Sequence, residues 1–198
     1  KSCPVALQVE ISTVKLARAQ QYNKHCKEQN NTWNFFYHHK YNCNGFWQQL
    51  FLIMQKNILI IGCNSLIGKE VIKLCNLKGD NVFATSRSSI DIPVNQFIQL
   101  DPNDDLSSLD ALPESIDALL YCPGSISLKS IQRMDISDIK EDLRINFEGA
   151  FHVIKKVLPN LKKDNGASVV FISSVAANTG MTFHSSISSS KSALEGFA

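Results

Sequence analysis

Long hydrophobic runs and a large charge excess are both absent from this 198-residue chain. No segment approaches the roughly 18 apolar residues that a membrane-spanning helix needs, and the first residues do not form a secretory signal. The formal net charge is only +2, so the composition gives no reason to expect nucleic acid or an anionic membrane as a partner. Hydrophobic residues make up 44% of the chain, which is ordinary for a globular protein with a real core.

The six cysteines also lack a recognisable pattern, because no two of them form C-x-x-C. Cys63, Cys75 and Cys122 fall within a region of predicted strands and helices, where free buried thiols are commoner than disulfides. This pattern predicts a reducing compartment, and we expect the protein in the cytoplasm. The C-x₂₋₄-C spacing of common zinc sites is missing as well, so no metal site is predicted.

Residues 1–53 contain no aspartate and a single glycine, and they hold six basic and two acidic residues. The remainder holds 14 basic and 16 acidic residues, so the two parts differ in kind. We therefore expect a leader of unknown role over 1–53, outside the fold, and one domain over 54–198. Met54 is the expected natural start. The leader is then upstream read-through or a disordered extension, and a targeting peptide fits less well because the leader has one arginine.

A regular alternation of apolar segments begins at Asn57. Strands are predicted at 57–61, 82–85, 97–100, 118–121 and 168–173. Helices are predicted after the first strand, over 137–163, and from about Ser188 to the end. The first of these helices should place Ile67, Val71, Ile72 and Leu74 inward. Strands that alternate with helices predict an α/β fold with a parallel, doubly wound, Rossmann-type sheet in three α/β/α layers.

The first predicted strand runs into the turn Gly62-Cys63-Asn64-Ser65-Leu66-Ile67-Gly68. A glycine at the strand end permits a tight turn, and the second glycine lets the helix pack closely on the sheet. The helix N-terminus offers free N–H groups to a pyrophosphate, so the predicted contacts are Gly62, Asn64, Ser65, Leu66, Ile67 and Gly68. The alternative is an ordinary strand–helix turn, because the general G-x-G-x-x-G pattern is not matched.

This turn resembles the G-x-x-x-G-I-G turn of the short-chain dehydrogenase/reductase family, with Leu66 in place of the middle glycine. Further landmarks follow in family order. They are Asp101 after the third strand, Cys122-Pro123-Gly124 in the N-N-A-G position, Asn146 on the long helix, Ser174 after the fifth strand, and Lys191 of the Y-x-x-x-K motif. The resemblance covers 57–198, about three quarters of the chain.

The resemblance implies an NAD(P)-binding domain that transfers hydride between the cofactor and a small carbonyl or alcohol substrate. Asp101 would contact the adenine, and Cys122, Pro123, Gly124 and Lys191 would also bind the cofactor. The family pairs its long helix with a second subunit, so we expect a homodimer or homotetramer when the protein is full length. The family's last strands come after the segment that ends at Ala198, so the sheet is expected to be truncated.

The end of the second strand lacks the acid that would hold an NAD ribose. Thr85-Ser86-Arg87-Ser88 instead offers a guanidinium that suits a 2′-phosphate, with serine hydroxyls beside it. We therefore favour NADP over NAD, with Ser86 and Arg87 as contacts. The alternative is that Arg87 is a solvated loop residue.

The family's catalytic tyrosine is missing. Its place lies four residues before Lys191 and 13 after Ser174, and both counts lead to Ile187. In the family the lysine lowers the tyrosine pKa, the serine holds the carbonyl oxygen, and the asparagine helps hold a water. Ser174, Lys191 and Asn146 are therefore the expected catalytic residues. Either His184 supplies the proton instead, or the domain is a catalytically silent NADP-binding sensor or scaffold.

Overall fold

The computed structural model describes residues 55–163 and 166–198, so the predicted 1–53 leader lies outside the described residues. Five strands form one sheet: β1 Asn57–Ile61, β2 Asn81–Ser86, β3 Gln96–Gln99, β4 Ala118–Tyr121 and β5 Ser168–Phe171. The α-helices are α1 Leu66–Lys78, α2 Ile136–Leu143, α3 Gly149–Lys162 and α4 Ser185–Phe197. A π-helical segment, Arg144–Glu148, joins α2 to α3.

All neighbouring strands of the sheet pair in parallel, in the order β3-β2-β1-β4-β5. The chain builds outward from β1 on one side and then crosses to place β4 on the other side. The predicted doubly wound parallel sheet is confirmed. In such sheets, ligands bind outside the carboxyl ends of the two strands that flank the reversal, which here are β1 and β4.

Two separate cores cover the two faces of the sheet. Alternation along β1 directs Ile58 and Ile60 to one face, where they pack with Ile72 of α1. On the other face, Leu59 and Ile61 pack with a buried stripe of α3, which comprises Ala150, Val153, Val157 and Leu161. The predicted three-layer arrangement is therefore confirmed.

Helix α1 is capped at both ends. The Ser65 hydroxyl accepts a hydrogen bond from the Gly68 N–H at 3.0 Å, and Gly79 ends the helix with φ of 75°. The buried positions of the helix are Gly68, Ile72 and Cys75. The expectation that Leu74 points inward was wrong: its side chain is exposed. Cys75, one residue later, lies on the stripe that faces the sheet and takes its place.

The long predicted helix is present as α2, the π-segment and α3. The last helix begins at Ser185, three residues earlier than predicted. None of the helices in the described ranges is long and apolar enough to cross a membrane.

Candidate functional site

A cavity of about 360 Å³ lies at the carboxyl ends of the strands, where the strand order reverses. Every strand from β1 to β4 contributes residues that follow its last position, and the π-segment closes one side. The lining comprises Gly62, Asn64, Ser65, Ser86, Arg87, Ser88, Leu100, Asp101, Pro102, Asn103, Cys122, Pro123, Gly124, Ser125, Arg144 and Ile145.

The β1–α1 turn depends on its two glycines. Gly62 has φ of 72°, and a Cβ there would lie 2.9 Å from Pro123 Cδ of the neighbouring β4 loop. At Gly68, a Cβ would lie 2.8 Å from the Cys63 Cα, so the helix can approach the turn only with glycine at this position. The result is an open backbone cradle at a helix N-terminus, where N–H groups are free to bind an anion.

Not every residue of the predicted turn lines the cavity. Gly62, Asn64 and Ser65 do, whereas Leu66, Ile67 and Gly68 are not among the lining residues. Leu66, in the place of the family's middle glycine, turns its side chain to solvent. Of these three, Gly68 contributes through the close packing of its backbone on Cys63.

Hydrogen bonds join the end of β2 to the turn. Asn64 Nδ2 donates to Ser88 Oγ at 3.0 Å, and the Ser86 hydroxyl donates to the Ser88 carbonyl. The Arg87 side chain is exposed beside them, and its backbone carbonyl accepts from Gln99 Nε2. Asp101 is the acidic residue among those lining the cavity, and it follows β3 rather than β2. The β2 end therefore presents a cation and hydroxyls to a bound group.

The predicted catalytic lysine and asparagine meet at Gly124. A Cβ on this glycine would lie 3.1 Å from Asn146 Oδ1 and 3.5 Å from Lys191 Nζ. The Lys191 ammonium donates to the Ile172 carbonyl at 2.7 Å, so it bridges the ends of β4 and β5. Burial lowers the pKa of Lys191 from its ordinary 10.5 to about 8, because the charged form loses water.

Asn146 is fixed by a network that the sequence did not suggest. Its Nδ2 donates to the Asp142 carbonyl at 2.9 Å and to Ser125 Oγ at 3.2 Å. The Ser125 hydroxyl donates in turn to the buried Asp142 carboxylate at 2.5 Å. Asn146 lies in the middle of the π-segment, an irregularity that is frequent at functional sites.

Ser174 and Ile187, like Asn146 and Lys191, are not among the residues that line the cavity. Ser174 follows β5, and its hydroxyl accepts from the Ala176 N–H at 3.2 Å. Ile187 lies in α4 one turn before Lys191 and is buried, with 3% of its surface exposed. An aliphatic side chain thus fills the position where the family resemblance places a phenol.

His184 immediately precedes α4, and its Nδ1 lies 2.7 Å from the Thr182 carbonyl. It lies seven residues before Lys191 and outside the helix, whereas Ile187 lies four residues before Lys191 and within it.

The Tyr121 phenol and the Cys122 thiol, both near the site, are poor acids. Burial raises the pKa of Tyr121, whose hydroxyl donates to the Ile145 carbonyl at 3.2 Å, so this residue packs and orients the π-segment. Burial also raises the pKa of the Cys122 thiol to about 11.

Sequence reasoning missed several lining residues, notably Asn103, Ser125 and Arg144. Arg144 forms two hydrogen bonds of 2.8 Å with Glu141, which raise its pKa and hold its guanidinium at the cavity edge. Each of these residues lies within two positions of a predicted site residue, and this proximity in sequence is the signal that could have identified them.

The sequence and fold are similar to those of known dehydrogenases. Residues 104–198 match the family described as short chain dehydrogenase. Human retinol dehydrogenase 8 is 29% identical over 160 residues, which cover 72% of this chain and 51% of that protein. The chain therefore spans about half the length of this curated relative.

Solved structures give the same result. A short chain dehydrogenases/reductase from Saccharomyces cerevisiae is 27% identical, with a TM-score of 0.64, over 72% of this chain and 63% of that chain. A short chain dehydrogenase from Shigella flexneri 2a, solved as a complex with NADP, has a TM-score of 0.65 over 72% of this chain and 68% of that chain. Its identity of 21% makes it a likeness of fold alone.

Proposed function

We propose that the chain is a member of the short-chain dehydrogenase/reductase family and an NADP(H)-dependent oxidoreductase that interconverts a small carbonyl compound and its alcohol. The observation that carries the proposal is the continuity of the site. The glycine cradle at β1 and the meeting point of Gly124, Asn146 and Lys191 lie at the same edge of the sheet, and Gly62 and Gly124 both line one cavity.

The residues present fit a dinucleotide. The open turn at Gly62, where a side chain would strike Pro123, suits a pyrophosphate against backbone N–H groups. Arg87, with Ser86 and Ser88, would hold a 2′-phosphate. Asp101 would contact the adenine, and Lys191 the nicotinamide ribose. When bound, the nicotinamide supplies or accepts the hydride of the reaction.

The protein's own groups would handle the carbonyl oxygen. Ser174 would orient this oxygen by a hydrogen bond, and reduction requires one proton to reach it as hydride reaches the carbon. Ile187 has no proton to give. Lys191, with its pKa lowered to about 8, exchanges protons near neutral pH, and His184 is the other titratable candidate.

The buried Ile187 favours a second candidate function, in which the domain binds NADP without efficient turnover and acts as a sensor or scaffold. The two candidates differ in turnover and agree in cofactor binding. We further propose a cytoplasmic location, because Cys63, Cys75 and Cys122 are free thiols, and a homodimer or homotetramer as the full-length assembly.

Cofactor binding is tested by titrating the purified protein into NADPH and NADH while following nicotinamide fluorescence, with a panel of ketones added afterwards. NADPH should bind more tightly, and Arg87→Asp should narrow or reverse the difference, since a hydrogen bond to a charged group contributes about 1.5–3 kcal/mol. Arg133→Asp, at an exposed arginine outside the cavity lining, is the matched control. Equal affinities of the unmutated protein for both nucleotides would refute the NADP assignment. Binding of neither would refute both candidate functions.

A further inference from the structure

The segment that follows Gly124 is anchored to the buried Asp142 by one serine side chain and one backbone N–H. Ser125 and Ser127 both contact the buried carboxylate of Asp142, the first through its hydroxyl at 2.5 Å and the second through its N–H at 3.3 Å. Ile126 and Leu128 alternate with these serines and point outward. A surface segment normally places apolar residues inward, so Asp142 holds this one in the opposite orientation.

Two other segments place exposed apolar side chains at the same end of the molecule. Val175 directly follows Ser174 after β5, and Phe183 lies just before α4, which carries Ile187 and Lys191. The Lys129 N–H donates to the Phe183 carbonyl at 3.2 Å, which ties the β4 segment to the α4 segment. Phe183 adopts φ of 67°, a left-handed conformation that costs free energy in a non-glycine residue and is typical of functional positions.

We define the apolar rim as Ile126, Leu128, Val175 and Phe183, which are between 46% and 59% exposed. Each rim residue lies one to eight positions from Gly124, Ser174 or Lys191 along its own segment. The nearby charge of Lys129 is neutralised by Asp138 at 2.6 Å. Three segments that carry or adjoin Gly124, Ser174 and Lys191 therefore each expose an apolar side chain. An exposed group of this kind marks a binding surface.

Building on the proposed function, we propose that the apolar rim binds the hydrocarbon body of the substrate, so that the substrate class is ketones or aldehydes with an extended alkyl or ring body. The carbonyl is then the single polar group of the substrate that meets Ser174 and Lys191. When short or highly polar carbonyl compounds bind, the apolar rim stays exposed to water, so these compounds bind weakly.

A series of methyl ketones from 2-butanone to 2-decanone tests this inference. The dissociation constant of each ketone is measured by ligand-observed NMR on the purified protein, with and without NADP⁺, and kcat/KM is measured with NADPH. Affinity should rise about two- to fourfold per added methylene, the upper value corresponding to full burial of the group. In the double variant Ile126→Ser/Leu128→Ser, the ratio of the affinities for 2-decanone and 2-butanone should be at least tenfold smaller than in the wild type.

The matched control is Leu77→Ser, because Leu77 is an exposed leucine in the last turn of α1, remote in sequence from the rim. It should keep the full dependence on chain length. Equal affinity for all ketones overturns the inference, and so does an equal loss of the chain-length dependence in Leu77→Ser. In either case, NADPH binding would leave the proposed function standing. Absence of NADPH binding overturns the function, while the ketone series still decides the rim. If light scattering shows that the double variant dissociates an oligomer, the rim is a subunit contact and the inference is wrong.

Discussion

At the scale of single residues, the side chain at position 187 separates the two candidate functions. Lys191 lies one helical turn away with its ammonium buried, so a phenol placed at 187 would have the neighbour that lowers its pKa. We expect Ile187→Tyr to raise ketone reductase activity by about 10²–10⁴-fold, the usual contribution of a general acid. The measurement is NADPH oxidation at saturating cofactor.

The control for this variant is Ile187→Phe, which adds the same ring without the hydroxyl. Both changes enlarge a buried side chain and should cost similar stability, so thermal unfolding of the pair must agree before activities are compared. If His184 already supplies the proton, His184→Ala abolishes activity and Ile187→Tyr adds little. Activity that is unaffected by either change, with NADPH still bound, favours the silent binder.

Lys191 gives a second test, through stability. Burial disfavours its charge by about 3 kcal/mol, from the lowering of its pKa to about 8, and the hydrogen bond to the Ile172 carbonyl offsets part of this. Lys191→Met should therefore stabilise the cofactor-free protein at pH 7 by about 1–3 kcal/mol in urea unfolding, even as it removes activity.

The pH dependence of this difference has a definite sign. Folded Lys191 loses its proton near pH 8, whereas the unfolded chain keeps the proton until about pH 10.5. Unfolding therefore takes up a proton between these values, and rising pH stabilises the wild type relative to the variant. The advantage of Lys191→Met should shrink from pH 8 to 10.5. An advantage that is constant over this range would show that the lysine is not desolvated.

The sequence predicted residues that belong to ordered motifs and missed those defined by contacts alone. Lys191 and Asn146 were expected from the family resemblance, and both lie close to Gly124. Asp142, by contrast, looks like any charged residue of an amphipathic helix. Its burial depends on Ser125 and Ser127 coming from another segment, which no local pattern records.

At the scale of secondary-structure elements, two of the helical glycines, Gly68 and Gly196, make a matched pair. Gly68→Ala would place a Cβ 2.8 Å from the backbone of Cys63, so α1 must move away from the turn. Gly196 has open space around its Cα, and alanine there should be neutral or stabilise α4 by up to about 1 kcal/mol.

We expect Gly68→Ala to lower the free energy of unfolding by about 1–3 kcal/mol, by the overpacking of a tight contact, and to weaken NADPH binding. Gly196→Ala should leave NADPH binding intact. Chemical denaturation and fluorescence titration measure both effects. Equal behaviour of the two variants would mean that α1 does not need its close approach to the turn.

The buried faces of helices were harder to predict than their positions. Both ends of β4 were predicted correctly, because Ala118–Tyr121 is a continuous apolar segment, typical of a strand buried on both faces. In α1, either Leu74 or Cys75 could face the sheet, because the two residues are adjacent and helical periodicity alone does not decide which of them is buried. The packing of Cys75 beside Ile72 on the sheet made the choice.

At the scale of the whole molecule, α3 and the π-segment carry two apolar stripes and the chain buries one of them completely. Small residues such as Ala150 and Val153 face the sheet. The bulkier stripe, Phe147, Phe151, Ile154 and Leu158, lies beside it, with Phe151 and Leu158 exposed. Phe197 of α4 packs against Phe147 and Phe151, with ring centroids 6.0 and 5.9 Å apart, so the exposed surface continues onto a second helix.

This bulky stripe is the surface on which the expected assembly would form. Sedimentation velocity of the full-length protein should give a dimer or tetramer, and Phe151→Lys should dissociate it, because a buried interface does not accept an unpaired charge. Leu77→Lys, at an exposed leucine of α1 on the opposite face of the sheet, is the control and should leave the assembly intact. A monomeric wild type would contradict the prediction. So would a Phe151→Lys variant that stays assembled, since the subunits would then meet through another surface.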